Sequence, residues 1–403
     1  MSEQSYAPEE QTAAAPAGGD RDPAWNAQVV DARRVSTLEC FFDLVFVFTI
    51  TQLTVLLVND LSFARAGRVL LIFAVLFWMY GGYAYLTNQV PPETTARRVL
   101  LVAAMAGFLT CALAVPNVSG ADGIAFGLGF LAVTVVHSVL YALIHRQYVL
   151  SFALTNTAAA GCVTAAGWVG GGPLADALWL GAVVLQNITP LVSSRITGDY
   201  TGGRARVTEN LGALDPAHFV ERHGLLLLIA FGESVVAIGA GASATQLDWA
   251  LFTGAVLALT LAAALWWTYF VRDEAAAEAA LHRASGADRF RMGLTAYYYS
   301  FIPMLLGVAV LAAGVKKSIG ELAHHLPLAP AVALAGGVAL FLAGNIAFRA
   351  TLSIRPLRHR AVTAFAVLAT IPLGTWSNAL AQFLGLTLAL VAMLIVEDRR
   401  AAR

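Results

Sequence analysis

Apolar residues in this chain gather into long runs separated by short polar segments. The runs lie at roughly 38–58, 68–87, 98–117, 122–144, 148–170, 173–194, 223–243, 247–271, 293–313, 328–350, 359–375 and 376–396. Each approaches the about 20 helical residues needed to cross a hydrocarbon core about 30 Å thick. The pattern predicts an all-α integral membrane protein of about twelve transmembrane helices. Pro372 and Gly374 mark a tight turn between the last two runs, where the span count is least sharply drawn. Eleven or thirteen spans would move one terminus across the membrane. Residues 1–36 contain no apolar run and read as a disordered cytoplasmic tail. Residues 37–217 then form a first six-helix half, 218–397 a second, and 398–403 a short cytoplasmic tail. Nothing in the first 36 residues has the h-region of a cleaved signal peptide, so the first apolar run is expected to serve as the insertion signal.

Charge tests this count, because Lys and Arg accumulate in cytoplasmic loops. With twelve spans and both termini inside, 21 basic residues fall on the cytoplasmic side. Only Arg65, Arg68, Lys316 and Lys317 fall opposite. Hydrophobic types make up 58% of the 403 residues and charged types 12%, a balance that excludes a soluble globular surface and makes the lipid bilayer the expected partner. Formal net charge is zero, so no nucleic-acid partner is expected. Arg outnumbers Lys 23 to 2, and with abundant Ala and Gly this hints at a bacterial genome rich in GC, hence a bacterial plasma membrane. Cys40, Cys111 and Cys162 lie in apolar runs without metal-ligand spacing, and neither a metal nor another cofactor is expected.

An internal repeat emerges when the first span is laid on the seventh. Leu38-Glu39, followed by an apolar run to Thr51-Gln52, matches Val220-Glu221, followed by an apolar run to Glu233-Ser234. Trp78-Met79-Tyr80 likewise resembles Trp266-Trp267-Thr268-Tyr269. Six spans per half would make the halves parallel, related by an axis along the membrane normal.

Ionisable residues inside apolar runs are expensive and mark candidate sites. Only Glu39, Asp43 and Glu233 qualify among the acids. Glu233 is expected near the midplane, with Gly232, Ala237 and Gly239 beside it turning it toward the bundle interior. It reads as a proton or cation site, or as a protonated acid bonded to Tyr298, Asn345 or His137. Glu39 and Asp43, four residues apart, share one helical face. They read either as a cytoplasmic ion entrance or as partners of Arg33, Arg34 or Arg222 that lock span 1 against span 7. His218, Glu221 and Arg222 form a cytoplasmic charge cluster opening span 7. His137, in span 4, is a candidate proton relay or a packing donor. No nucleotide, zinc or nucleophile motif stands where structure would support it, so no enzyme is expected.

Leu38-Glu39-Cys40-Phe41-Phe42-Asp43-Leu44-Val45-Phe46, and His218-Phe219-Val220-Glu221-Arg222-His223-Gly224 running on to Gly232-Glu233-Ser234, resemble the bacterial low temperature requirement protein A family. Tyr297 to Gly314 resembles it as well. That family is named for a cold-growth phenotype, so the resemblance implies a multi-pass membrane protein without supplying a substrate. Phe41-Phe42-Asp43 is also similar to the Phe-Ser-Asp signature of the endolysosomal potassium channel family, with Phe42 in the place of Ser. The expected function is proton- or cation-coupled transport, the cargo being a proton, a monovalent cation or a small solute and an oligomer being compatible. The alternatives are a non-transporting membrane homeostasis or scaffold factor, an ion channel, or a lipid-modifying membrane enzyme.

Overall fold

The computed structural model describes residues 34–142, 149–188, 214–242 and 248–401. The expected tail at 1–33, the loop arginines Arg146, Arg195, Arg204 and Arg206, and Thr189 and Pro190 lie outside the described residues.

Every regular element among the described residues is helical. In chain order these are α1 (Thr37–Asn59), α2 (Phe63–Gln89), α3 (Thr95–Ala114), α4 (Gly123–Ala142), α5 (Val149–Val169), α6 (Pro173–Asn187), α7 (Pro216–Ala242), α8 (Trp249–Phe270), α9 (Asp273–Arg283), α10 (Gly286–Leu294), α11 (Phe301–Ser318), α12 (Leu328–Thr351), α13 (Arg358–Leu368) and α14 (Ala379–Ala401). Two π-helical segments, Thr295–Tyr299 and Leu373–Ser377, lead into α11 and follow α13. Short polar side chains start several helices. Ser36, Ser62, Thr94 and Asp248 each accept a main-chain N–H of the first turn, satisfying donors with no partner inside the helix.

Nine helices among the described residues are long and apolar enough to cross a membrane. The remaining expected spans correspond to α5, α6 and α13. The described part of α6 has 15 residues and α13 has 11, each short of a full crossing. Packing nevertheless lays these helices along the bundle. On α4 and α5, Gly123 meets Gly167 and Gly127 meets Thr164, the pairing of an antiparallel contact closed by missing side chains. A Cβ on Gly167 would sit 2.3 Å from the Gly123 backbone, so only glycine allows this approach. At one end of the bundle, Arg68 at the start of α2 reaches Asp176 at the start of α6 at 3.0 Å.

The α13 segment is completed by its π-helical continuation. Its first turn meets the end of α14 through Arg360 and Glu397. About 15 residues later, the Gly374 carbonyl accepts the Leu326 N–H in the loop after α11. The chain therefore reverses through Leu373–Ser377, immediately after Pro372, where the sequence places its tight turn.

α11 and α12 also pack backbone against backbone. Adding a Cβ to Gly307, Gly337 or Gly344 would bring it to 2.4–2.7 Å from backbone atoms of the facing helix. Small residues here let two backbones touch, the usual means of helix association where lipid supplies no hydrophobic drive. Large apolar side chains such as Phe63, Trp168, Trp249, Phe365 and Trp376 instead stand outward, as lipid-facing positions do.

Candidate functional site

The site lies on the seam where α1 packs against α7. One face of α1 presents Glu39, Phe42, Asp43 and Phe46, all fully buried, while Phe41 and Leu44 between them are more than half exposed. The 3.6-residue period thus separates an inward acidic and aromatic stripe from a lipid-facing one. α7 meets it with His218 and Arg222, one turn apart and equally buried.

Arg222 bridges both acids. Its Nη1 donates to Glu39 Oε1 at 3.2 Å, and its Nη2 and Nε donate to Asp43 Oδ1 at 3.2 and 3.4 Å. Its Nη1 also donates to the Thr87 hydroxyl of α2. The guanidinium lies over the rings of Phe42 and Tyr80, 5.6 and 5.8 Å from their centroids, which gives a buried cation further stabilisation. Arg222 is therefore the partner found for Glu39 and Asp43, and span 1 is locked to span 7 by a buried ion cluster.

Glu39 does more than pair. Its Oε2 accepts the Ser36 N–H at 3.0 Å and the Ser36 hydroxyl at 2.8 Å, while Ser36 Oγ accepts the Glu39 N–H. This capping box starts α1 and holds the carboxylate in place. His218 Nε2 lies 3.2 Å from Glu39 Oε1. Glu221 faces aside and accepts the Val35 N–H at 3.1 Å. Val35 and Ser36, assigned from sequence to a disordered tail, are thus bound to α7 and α1. α7 itself begins at Pro216.

Glu233 lies further along the same seam. It is 6% exposed, and its Oε2 accepts the Thr51 hydroxyl of α1 at 2.7 Å. None of Tyr298, Asn345 and His137 is its neighbour. Tyr298 donates to the Ala74 carbonyl and Asn345 to Asp273. Because α7 starts at Pro216, its midpoint is residue 229, and Glu233 sits about 6 Å beyond it at 1.5 Å per residue. Glu233 forms no salt bridge among the described residues; Lys316, near the end of α11, attracts it at longer range. The pairs 35–221, 39–222, 43–222 and 51–233 have nearly constant sequence separation, so α1 and α7 run parallel and in register.

His137 stands apart from this seam. Its ring stacks on Phe152 at 4.4 Å and meets Tyr83 edge-on at 5.0 Å. Its Nε2 lies against Gly82, where a Cβ would come within 3.0 Å. No acid is brought to it among the described residues, and its surroundings are those of a packing residue.

The family model for bacterial low temperature requirement A protein matches residues 34–396. The chain belongs to this family. A curated relative, an uncharacterized protein of Rhizobium meliloti (strain 1021), is 29% identical over 335 residues, covering 78% of this chain and 77% of its own length. No solved structure matches. The two segments that carry the family resemblance, around Glu39 and around Arg222, are the two halves of the buried ion cluster.

A second buried network escaped the sequence reading. Asp273, at the start of α9, accepts from Arg349 at 3.0 Å, from Arg360 at 2.5 Å and from Asn345 at 3.0 Å. Arg360 also donates to both oxygens of Glu397, to the Thr268 carbonyl and to Asn345. Two acids and two arginines balance here, tying α8, α9, α12, α13 and α14 together. The available signal was an Asp just beyond an aromatic helix end and an Arg just inside an apolar run, which separate positions do not reveal as a pair.

Proposed function

We propose that this membrane protein moves a proton or a monovalent cation along the α1–α7 seam, with Glu233 as the membrane-embedded binding residue. One observation carries the reading: Glu233 is buried against the hydroxyls of Thr51 and Thr54 with no salt bridge among the described residues, whereas Glu39 and Asp43 share Arg222. An ionised carboxyl without a cation is costly in hydrocarbon. It therefore takes up a proton or coordinates a cation, and alternation between these states is what coupling requires.

The seam suits such a path. Glu39 and Asp43 stand at the end where α1 and α7 begin, and Thr51 with Glu233 lies 12 residues beyond Glu39 on α1, about 18 Å along it. The parallel register of α1 and α7 supports two parallel six-span halves. Parity adds to this, since α1–α4 are four crossings and α7 can repeat the direction of α1 only if α5 and α6 both cross or neither does. Twelve spans, with the Arg-rich side and both termini in the cytoplasm of a bacterium, is the arrangement that meets the positive-inside rule.

The test is flux in proteoliposomes under imposed proton, potassium and sodium gradients. Wild type, Glu233→Gln and Asp43→Asn are compared, with thermal stability measured for each. Flux in wild type that disappears in Glu233→Gln at unchanged stability is the expected result. A folded but silent wild type, or full flux in Glu233→Gln, overturns the reading. The bridging of both proximal acids by Arg222 favours one rival, a non-transporting membrane factor in which the acids only pin helices. On that reading Glu233→Gln alters stability alone.

A further inference from the structure

Asn88 and Asp215 fix the hydrogen-bonding roles of the His218 ring nitrogens. The Asp215 N–H donates to Asn88 Oδ1 at 3.0 Å, and Asn88 Nδ2 donates to the Asp215 carbonyl at 2.9 Å. Flipping the amide would break both bonds, so its orientation is set. Asn88 Nδ2 also lies 3.2 Å from His218 Nδ1. An amide NH2 only donates, so Nδ1 accepts and the ring proton resides on Nε2, facing Glu39. An imidazolium would set an N–H on Nδ1 against the amide N–H. With Nδ1 accepting, His218 meets Glu39 as a hydrogen-bond donor rather than as a second cation.

The charges then do not balance. Glu39 and Asp43 face one cation, Arg222, and all three are at most 1% exposed. The balanced network around Asp273 provides the contrast within the same bundle. Burying one uncompensated carboxylate costs several kcal/mol, and a proton removes that cost. Hydrogen bonding decides where the proton sits. Glu39 is surrounded by donors: Arg222, His218, and the N–H and hydroxyl of Ser36. Asp43 receives its Arg222 bonds on Oδ1 alone, while Oδ2 is buried without a partner. The hydroxyl of Tyr80 neighbours Asp43; a hydroxyl both donates and accepts, so it can accept a hydrogen bond from a proton carried on Oδ2. The other titratable groups around Asp43 are Glu39 and Cys40 on α1, and Arg222, with His218 and His223 beyond it, on α7.

We propose that Asp43 holds an exchangeable proton on Oδ2, making the proximal end of the seam a proton-binding site in which Glu39 and Arg222 remain ionised. This deepens the transport path proposed above and rests on it for its role in flux; the proton itself is read without flux.

The measurement is infrared difference spectroscopy of the reconstituted protein at neutral pH, in water and in D2O, with 13C in the aspartate side-chain carboxyls. Wild type is expected to show a protonated-carboxyl band that shifts with the aspartate label and with D2O. The band disappears in Asp43→Asn and persists in Glu233→Gln and His218→Gln. Its absence from wild type, or its persistence in Asp43→Asn, overturns the assignment. Should Asp43→Asn fail to fold, labelled wild type still decides: a protonated band that ignores the aspartate label refutes a proton on Asp43. A silent flux assay leaves this spectrum unchanged, and an ionised Asp43 leaves flux through Glu233 intact, so the two proposals fail separately.

Discussion

Arg222→Met is the sharpest test of the ion cluster, because it removes the one cation shared by two buried acids. Met keeps much of the side-chain length and packs between Phe42 and Tyr80, so the principal loss is electrostatic. Arg222 makes three bonds to Glu39 and Asp43 at 3.2–3.4 Å and one to the Thr87 hydroxyl. Removing one partner of a buried ion pair costs about 3–5 kcal/mol, because the other is left charged out of water. The expected loss in Arg222→Met is of this size at neutral pH. It shrinks as pH falls, since protonation then neutralises the stranded Glu39, Asp43 already carrying a proton in the site proposed above. Adding Glu39→Gln and Asp43→Asn to Arg222→Met removes the charges altogether and recovers most of the stability, as neutral replacement of buried ion clusters commonly does. The assay is reversible denaturant unfolding in a fixed detergent, read by tryptophan fluorescence at several pH values. An Arg222→Met loss below about 1 kcal/mol, or a triple variant no more stable than the single one, would refute the reasoning. The cluster would then be too solvated to carry that energy.

Two further outcomes follow from the same geometry. Thr51→Val deletes the hydroxyl that donates to Glu233. The unfolding assay should show a loss of about 0.5–1.5 kcal/mol if the acid is protonated at rest and about 1.5–3 kcal/mol if it is ionised, so no loss at all would contradict the hydrogen bond. Arg360→Met leaves Asp273 and Glu397 with Arg349 as their one shared cation and is expected to cost about 3–5 kcal/mol. Arg272→Ala, at the solvent-exposed pair with Asp398, should cost about 0–1 kcal/mol; equal losses for the two would contradict the burial contrast.

The sequence by itself determined that this chain is a multi-pass helical membrane protein of its family. Runs of about 20 apolar residues can cross a bilayer only as helices, because a backbone in hydrocarbon must satisfy its own hydrogen bonds. It also marked Glu39, Asp43 and Glu233, since a charge inside such a run stands out against its surroundings, and His218 and Arg222 as part of the charge cluster that opens the seventh run. Tertiary structure alone decided the partners. Whether Asp43 faces Arg222 or an aqueous entrance depends on how α1 docks on α7, a contact between residues 179 positions apart. The same docking gave Glu233 a threonine where sequence suggested a tyrosine, an asparagine or a histidine, and placed His137 in an aromatic cage away from every acid named above. Arg349, Arg360 and Glu397 look like ordinary span-end charges in one dimension. They become a buried network with Asp273 only because five helix ends converge at one side of the bundle. Hydropathy is a property of each segment and survives in the linear chain, whereas charge compensation belongs to pairs of segments and exists only once they have packed.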